Sequence, residues 1–507
     1  MLNSNSSKYY SWRDLSYQSF YQVVDTVVED IQSLLWIDTN KAKRRVKGDQ
    51  LEKLTYSVEK LIRDSLALVL NRNKIPNCPI AKSKMRYEGD RDDPMLTYDI
   101  FIKRAYMGMI ELGYLFEAEA GFNDRNPTKG QFSQSRLTRY RAESKLISLF
   151  SERDRKAFPV IVPSKPSEPL VVQEKVKTKE GGSKKVKLAF EDSDYTKHLL
   201  ENLKIINETL SRSWYDLEIE NEELDRLQDK LTSKDRRDQG TDYILDFGRR
   251  SLSRVFNDIC FETGGRFYGG WWQNIPKEYR ANIIIDGKPT VEFDYSTIHP
   301  TILYFKEGLS PPDDAYTQII KENFNGLGLK TGKLRSMLKS AFNAMLNSKK
   351  ALSNSPKGIT PSDFGLKWSQ VSKAIIKTHS PIAHHFYSDA GRRLQKIDSE
   401  IAEIVLLHFA KRYIPILPLH DSFIMHHHFD GELTQMMQKA FNEVVGGSIN
   451  IDQKLIERLP SLPNKTYSDD DMEDIIDLLA QGYMQRETKF FELRSAKSSQ
   501  VKNRANG

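Results

Sequence analysis

Two aspartates stand out because each lies inside an apolar run. Asp294 ends the stretch TVEFD within residues 290–305, where Val291 and Phe293 alternate with polar neighbours as on a strand. Asp421 lies in YIPILPLHDSFIM, residues 413–425, at a bend carrying Pro415, Pro418 and His420-Asp421-Ser422. A carboxylate in such surroundings is costly unless it is paired or bound to a cation. Two of them on adjacent strands can hold two divalent ions about 4 Å apart, the arrangement that in-line phosphoryl or nucleotidyl transfer needs. Mg²⁺ suits this donor set, since it takes few carboxylates and completes its shell with water and phosphate oxygens; Mn²⁺ is the alternative ion. Between the aspartates, residues 331–351 read as a helix on which Arg335, Lys339, Asn343 and Asn347 recur every fourth residue and share one face. Its basic end suits a triphosphate, and its asparagines a base or template. An ordinary polar surface face is the plainer alternative.

The elements that must position these residues follow from the pattern around them. Pro300 opens a helix directly after Asp294, and GRRLQKIDSEIAEIVLLHF forms another just before the second aspartate. Residues 243–302 and 411–460 therefore read as two halves of one strand-bearing unit, with the helical segment 303–410 inserted between them. Upstream, 14–70 reads as helices and 97–116 as an amphipathic helix ending near Gly113. A turn-rich stretch leading to Arg136, Arg139 and Arg141 then suggests a winged-helix-like hairpin within a nucleic-acid-binding region 1–158. Residues 159–242 read as a thumb-like or linker segment. It holds a hairpin around Gly181-Gly182 carrying Lys175, Lys177, Lys179, Lys184, Lys185 and Lys187, then a long charged helix or helix pair. Residues 461–507 read as a capped helix and a tail. The expected fold class is α+β.

The composition excludes several classes. The chain has 507 residues with 39% hydrophobic content, and 76 basic against 69 acidic residues give a net charge of +7, which permits a nucleic-acid partner without requiring one. Two cysteines are too few for a disulfide framework. No apolar run is long enough for a membrane-spanning helix, and the first residues lack a signal pattern, so a soluble, cytoplasmic protein without a membrane partner is expected. The run His426-His427-His428 carries no metal expectation, because consecutive imidazoles on a strand alternate faces and cannot converge without a fourth ligand, and His384-His385 carries none either. Asp216-Leu217-Glu218 sits in a charged helical stretch without matching downstream aspartates, so it reads as a surface face and no proofreading activity is expected. Trp271 and Trp272 read as core plugs rather than base-stacking platforms.

The ordered set of motifs over residues 247–430 resembles the palm and fingers of nucleic-acid polymerases, mainly family A DNA polymerases and phage single-subunit RNA polymerases. Asp294-Tyr295-Ser296 matches the first palm motif. His420-Asp421-Ser422 matches the second, in the form the RNA enzymes use, and Arg335 with Lys339 matches the Arg-x-x-x-Lys of the fingers helix. Thr263-Gly264-Gly265-Arg266-Phe267 and Gln273-Asn274-Ile275-Pro276 resemble family A segments upstream of the palm motif. The chain also departs from that family. His299-Pro300 stands where family A has Glu, giving Ser-Thr-Ile-His-Pro a likeness to a family B pattern. Lys339 with Asn343 echoes the family B Lys-x-x-x-Asn, and Asn347 replaces a Tyr.

The resemblance implies a right-hand architecture with an antiparallel palm sheet and helical fingers, and two-metal nucleotidyl transfer from a nucleoside triphosphate to a primer 3′-hydroxyl. Asp294 and Asp421 would hold two Mg²⁺ ions, with the backbone carbonyl of Tyr295 completing the site. Arg335 and Lys339 would bind the triphosphate beside Asn343 and Asn347. Arg266, Gln273, Asn274, His420 and Gln395 would face primer and template, and His299 would act as a steric gate beneath the sugar. The gate favours deoxynucleotides, whereas His-Asp-Ser favours ribonucleotides. The expectation is a DNA polymerase on primer-template DNA, with an RNA polymerase or primase-polymerase that uses NTPs and RNA as the alternative. A non-catalytic DNA-binding replication protein is a second alternative. Replication or gap-filling synthesis on a mobile element is the expected setting, by fold-level analogy.

Overall fold

The computed structural model describes residues 18–66, 78–123, 135–151, 169–231, 245–325 and 331–459, apart from 35–36, 39–40, 43–44, 83, 85–86, 88–94, 178–182, 246 and 248, together with Ser233 and Phe491. The expected C-terminal helix lies outside these residues. Helices pack with mainly antiparallel sheets, as in an α+β fold.

The N-terminal region has its own core. Helix α1 (Gln18–Ser33) buries Val24, Val27 and Ile31, and α2 (Asp49–Leu66) buries Leu54, Val58 and Leu61, each at helical spacing. They pack with a three-stranded sheet of β1 (Cys78–Ile80), β2 (Leu115–Glu119) and β3 (Thr138–Ala142), in the order β1-β3-β2. The helix expected over 97–116 is a π-helix, Tyr98–Tyr106, continued by an α-turn, Met107–Glu111, and Gly113 follows at φ 72°. The β2–β3 pairing is the hairpin expected of a wing, but Arg139 and Arg141 on it are engaged within the protein. Arg139 is buried, and Arg141 lies over the Phe116 ring at 4.9 Å. Arg136 has no described side chain.

The basic hairpin forms as read, with β4 (Leu170–Lys177) antiparallel to β5 (Ser183–Lys187) and Lys175 opposite Lys185. The long charged segment after it is two helices with a strand between them: α3 (Asp194–Arg212), β6 (Tyr215–Leu217) and α4 (Asn221–Leu231). A capping box starts α3: the Thr196 N–H donates to Ser193 Oγ at 3.2 Å and the Ser193 N–H to Thr196 Oγ1 at 2.8 Å. Strand β7 (Ser253–Phe256) joins β4 in parallel and β8 (Gly264–Tyr268) in antiparallel, giving a second sheet of order β8-β7-β4-β5.

The main sheet is antiparallel. It contains β6, β9 (Ile283–Ile285), β10 (Lys288–Tyr295), β11 (Ile416–Leu419) and β12 (Ser422–His426), in the order β6-β9-β10-β12-β11, and β13 (Ile451–Gln453) also pairs with β10. Inserted between β10 and β11 are α5 (Ile298–Lys306), α6 (Ala315–Asn323), α7 (Thr331–Asn347), α8 (Trp368–Thr378) and α9 (Ala390–Ala410), and α10 (Asp430–Val445) follows β12. One core joins this sheet to α3, α4 and the inserted helices, with Trp271 and Trp272 fully buried in it. Truncating either tryptophan to Ala would cost about 3–5 kcal/mol.

Two sequence expectations are corrected here. The described residues of the segment read as thumb-like or linker do not stand apart from the main sheet: β6 extends it, and Leu203, Ile206, Leu210 and Leu227 belong to its core. Asp216 is not on a helix surface either; it is fully buried on β6, paired opposite Ile284. Both errors have one cause, since a three-residue strand between two charged helices leaves too little alternation to register. No described helix is long and apolar enough to cross a membrane.

Candidate active site

The sheet brings the two aspartates side by side. Asp294 sits near the end of β10 directly opposite Ser422, the first residue of β12. Asp421 precedes Ser422 in a two-residue turn closed by the Leu419–Ser422 pair. His420, the other turn residue, has φ 67°, a left-handed conformation that costs of order 1 kcal/mol for a non-glycine side chain. The Tyr295 N–H donates to the Asp421 carbonyl at 3.2 Å. Its ring turns into the core, where the hydroxyl donates to the Met437 carbonyl at 2.7 Å, leaving Tyr295 to meet the aspartates through its backbone.

The electrostatics match a pair that seeks a cation. Burial, and then the neighbouring charge of Asp421, push the Asp294 carboxyl up to about 6, against the pull of Lys454 and Lys339. Lys454, just beyond β13, places its ammonium 2.7 Å from Asp294 Oδ2. This residue was invisible to motif reading, because only the pairing of β13 with β10 brings it to the site. Two carboxylates whose mutual repulsion is only partly offset by a half-exposed lysine are chemically suited to Mg²⁺, and Asp294 and Asp421 are the residues that would hold it.

Helix α7 presents the expected polar face. Leu334, Leu338, Ala341, Phe342 and Met345 are buried, while Arg335, Lys339, Asn343 and Asn347 lie on the opposite side. Lys339, exposed on this face, is among the charges that pull the Asp294 carboxyl down. Arg335 is held by Asp314, Nε to Oδ2 at 2.6 Å, and its guanidinium lies 5.5 Å from the Tyr316 ring centre. Asp314 also caps α6 by accepting from the Tyr316 and Thr317 N–H groups. Asn347 donates to the Asn343 carbonyl at 2.8 Å and packs against Gly391, where a side chain would collide with its amide. It therefore joins α7 to the start of α9.

A second cluster surrounds Asp398 on α9. Arg266 Nε donates to its Oδ1 at 3.0 Å, His299 Nε2 lies 2.9 Å from its Oδ2, and Arg266 and His299 approach each other at 3.4 Å. The Asp398 side chain has no solvent exposure. Burial alone would raise its carboxyl, but Arg266 and His299 hold it below the ordinary carboxylate value. Gly265, at φ 84°, permits this contact: a Cβ there would meet Ser399 Oγ at 2.7 Å and the Phe256 ring at 2.8 Å, so β8 reaches α9 only without a side chain. The signal for Asp398 was present in the sequence. It lies in line with Leu394, Ile401, Ala402 and Val405 on the apolar face of its helix, where a carboxylate needs a cationic partner.

The other candidates divide. Gln273 spends its amide on the backbone, accepting from Gly269 N–H at 2.9 Å and donating to Phe267 O at 2.9 Å and Pro418 O at 3.1 Å. It clasps the strand before the second aspartate, with its amide engaged by backbone groups. Asn274 is exposed and Gln395 half-buried, one turn before Asp398. His420 packs edge-on to Tyr268 at 5.0 Å, its buried Nδ1 has no hydrogen-bond partner, and burial lowers its pKa. Ser422 lies opposite Asp294, but its hydroxyl is engaged by Glu292: it donates to Oε1 at 3.2 Å, and Arg280 holds the same oxygen at 3.1 Å.

No family model matches this chain, and no curated protein does. Among solved structures it is similar to the POL domain of Pol1 from M. smegmatis, determined in complex with DNA primer-template and dNTP, at 12% identity and a TM-score of 0.29. The match covers 58% of this chain and 58% of that domain, so the chain spans little more than half of that domain's length, at a similarity too low to carry a residue's role from one to the other.

Proposed function

We propose that the chain is a template-directed nucleic-acid polymerase that transfers nucleotides to a primer 3′-hydroxyl, with dNTPs as the preferred substrate. The observation that carries this reading is the pair Asp294, on β10, and Asp421, in the turn that leads into the adjacent antiparallel strand β12, mutually repelling and with the charge of Lys339 acting on Asp294. Divalent ions held there would lower the pKa of the 3′-hydroxyl and neutralise pyrophosphate. Asp294 and Asp421 bind from the palm side. Lys339 approaches from the fingers side as a point charge for the triphosphate, and Arg335 can exchange Asp314 for phosphate oxygens, which its planar fork fits. Asp398 fixes the orientation of Arg266 and His299. Arg266 is thereby set for the primer end, and the His299 ring for contact with the sugar. A ring immobilised in this way discriminates against a 2′-hydroxyl better than a freely rotating one.

The test is extension of a labelled primer on a DNA template with Mg²⁺, comparing dNTPs with NTPs, beside Asp421→Ala. Extension with dNTPs that the variant abolishes supports the reading. Extension with NTPs moves the protein to the RNA polymerase or primase reading. Primer-template binding without synthesis from either supports the non-catalytic reading.

A further inference from the structure

A second group of metal-binding side chains lies away from the aspartates. Glu307 follows the last residue of α5, and His384 and His385 end the short 3-10 turn Ser380–His385. Consecutive residues of a 3-10 turn point about 120° apart, so their rings should diverge. They do not: the ring centres are 4.1 Å apart, and the two Nε2 atoms lie 3.1 and 2.8 Å from the same Glu307 oxygen. The three ligand atoms all fall within 4.8 Å of one another. A carboxylate at a helix C-terminus also faces the negative end of the helix dipole and needs a positive neighbour.

We infer that Glu307, His384 and His385 form a zinc-class transition-metal site, with water completing a tetrahedron. Two imidazole nitrogens and one carboxylate oxygen are a recurrent zinc donor set at about 2.0–2.2 Å. Such ligands lie about 3.3 Å apart around a tetrahedral ion, so the observed spacing needs only small side-chain movements. Imidazole donors favour zinc, cobalt or nickel over Mg²⁺, which separates this site chemically from the aspartate pair. Its place in the fold suggests what it does. The ion ties the end of α5 to the segment leading into α9, and these two helices carry His299 and Asp398, which pair at 2.9 Å. The site would clamp the two helices together. The inference does not depend on the polymerase reading.

The test uses the full chain, stripped of metal, in an Asp294→Ala/Asp421→Ala background. Zn²⁺ is titrated by calorimetry and Co²⁺ by visible absorption. The expected result is one bound ion with a tetrahedral cobalt spectrum, unaffected by millimolar Mg²⁺. His385→Ala and Glu307→Ala should each weaken binding at least tenfold and remove the zinc-dependent rise in melting temperature. His384→Ala, at a largely exposed position, covers the case in which His385→Ala fails to fold. A stoichiometry and affinity unchanged in these variants, or lost instead on His426→Ala, would overturn the assignment, as would no binding at all.

Discussion

Replacing Asp294 by Asn should stabilise the metal-free protein at neutral pH, the opposite of what removing a structural ion pair would do. The carboxyl is pushed from its ordinary 3.8 to about 6 by burial and by Asp421, although Lys454 and Lys339 oppose the shift. A move of that size corresponds to about 3 kcal/mol against the folded state once the group is ionised. Because the folded pKa is raised, the stability is present below the ordinary value and is lost as pH rises through about 6. At pH 7.5 the full amount is absent, and at pH 5 about half of it. Asparagine keeps the shape and removes the charge, and Lys454, already half-exposed, can turn to water. The assay is urea unfolding in EDTA at pH 5 and pH 7.5, following the first transition. The variant should gain up to about 3 kcal/mol at pH 7.5 and about half that at pH 5. Mg²⁺ at a hundredfold excess over its dissociation constant should add about 2.7 kcal/mol to the native chain and little to the variant. A variant less stable than the native chain at pH 7.5 would show that the Lys454–Asp294 pair is a net structural bond, and the case for a cation-seeking pair would fall with it.

The remaining expectations concern neighbouring residues. Lys454→Ala should lower the Mg²⁺ concentration needed for half-maximal binding several-fold, measured by calorimetry, because a competing cation leaves Asp294; an unchanged value would show that the lysine steps aside at no cost. Asp398→Ala should destabilise the chain by up to about 3–5 kcal/mol, since it leaves the largely buried Arg266 without its carboxylate. Asp398→Asn should retain more stability while loosening discrimination between dNTPs and NTPs, which a purely structural role would leave unchanged. Arg335→Ala should raise KM for the nucleotide about tenfold or more, the loss of one charge-assisted contact of roughly 1.5–3 kcal/mol, with DNA affinity intact in a binding assay. Gln273→Ala should act through folding, lowering thermal stability without changing KM for primer-template.

Much of this was legible in the sequence where chemistry and local periodicity coincide. Asp294 could be placed on a strand because Val291 and Phe293 alternate, and Asp421 at a bend because Pro418 and His420 precede it. The polar stripe of α7 followed from a spacing of four, which depends only on helix geometry. The carboxylate face of Asp398 was equally readable from its apolar neighbours, although the motif match led to Gln395 instead.

What the chain order could not supply was everything decided by strand pairing and by contacts between distant segments. Lys454 reaches Asp294 only because β13 pairs with β10, and β6 joins the main sheet although it is three residues long between charged helices. Gln273 is polar in sequence but holds three backbone groups that lie together only after folding. His384 and His385 look unable to converge until Glu307 arrives from another helix. Side-chain type and local spacing settle which chemistry is possible, because they depend on covalent geometry alone. Tertiary structure decides which charges meet, because burial and pairing are properties of the assembled sheet and its helices.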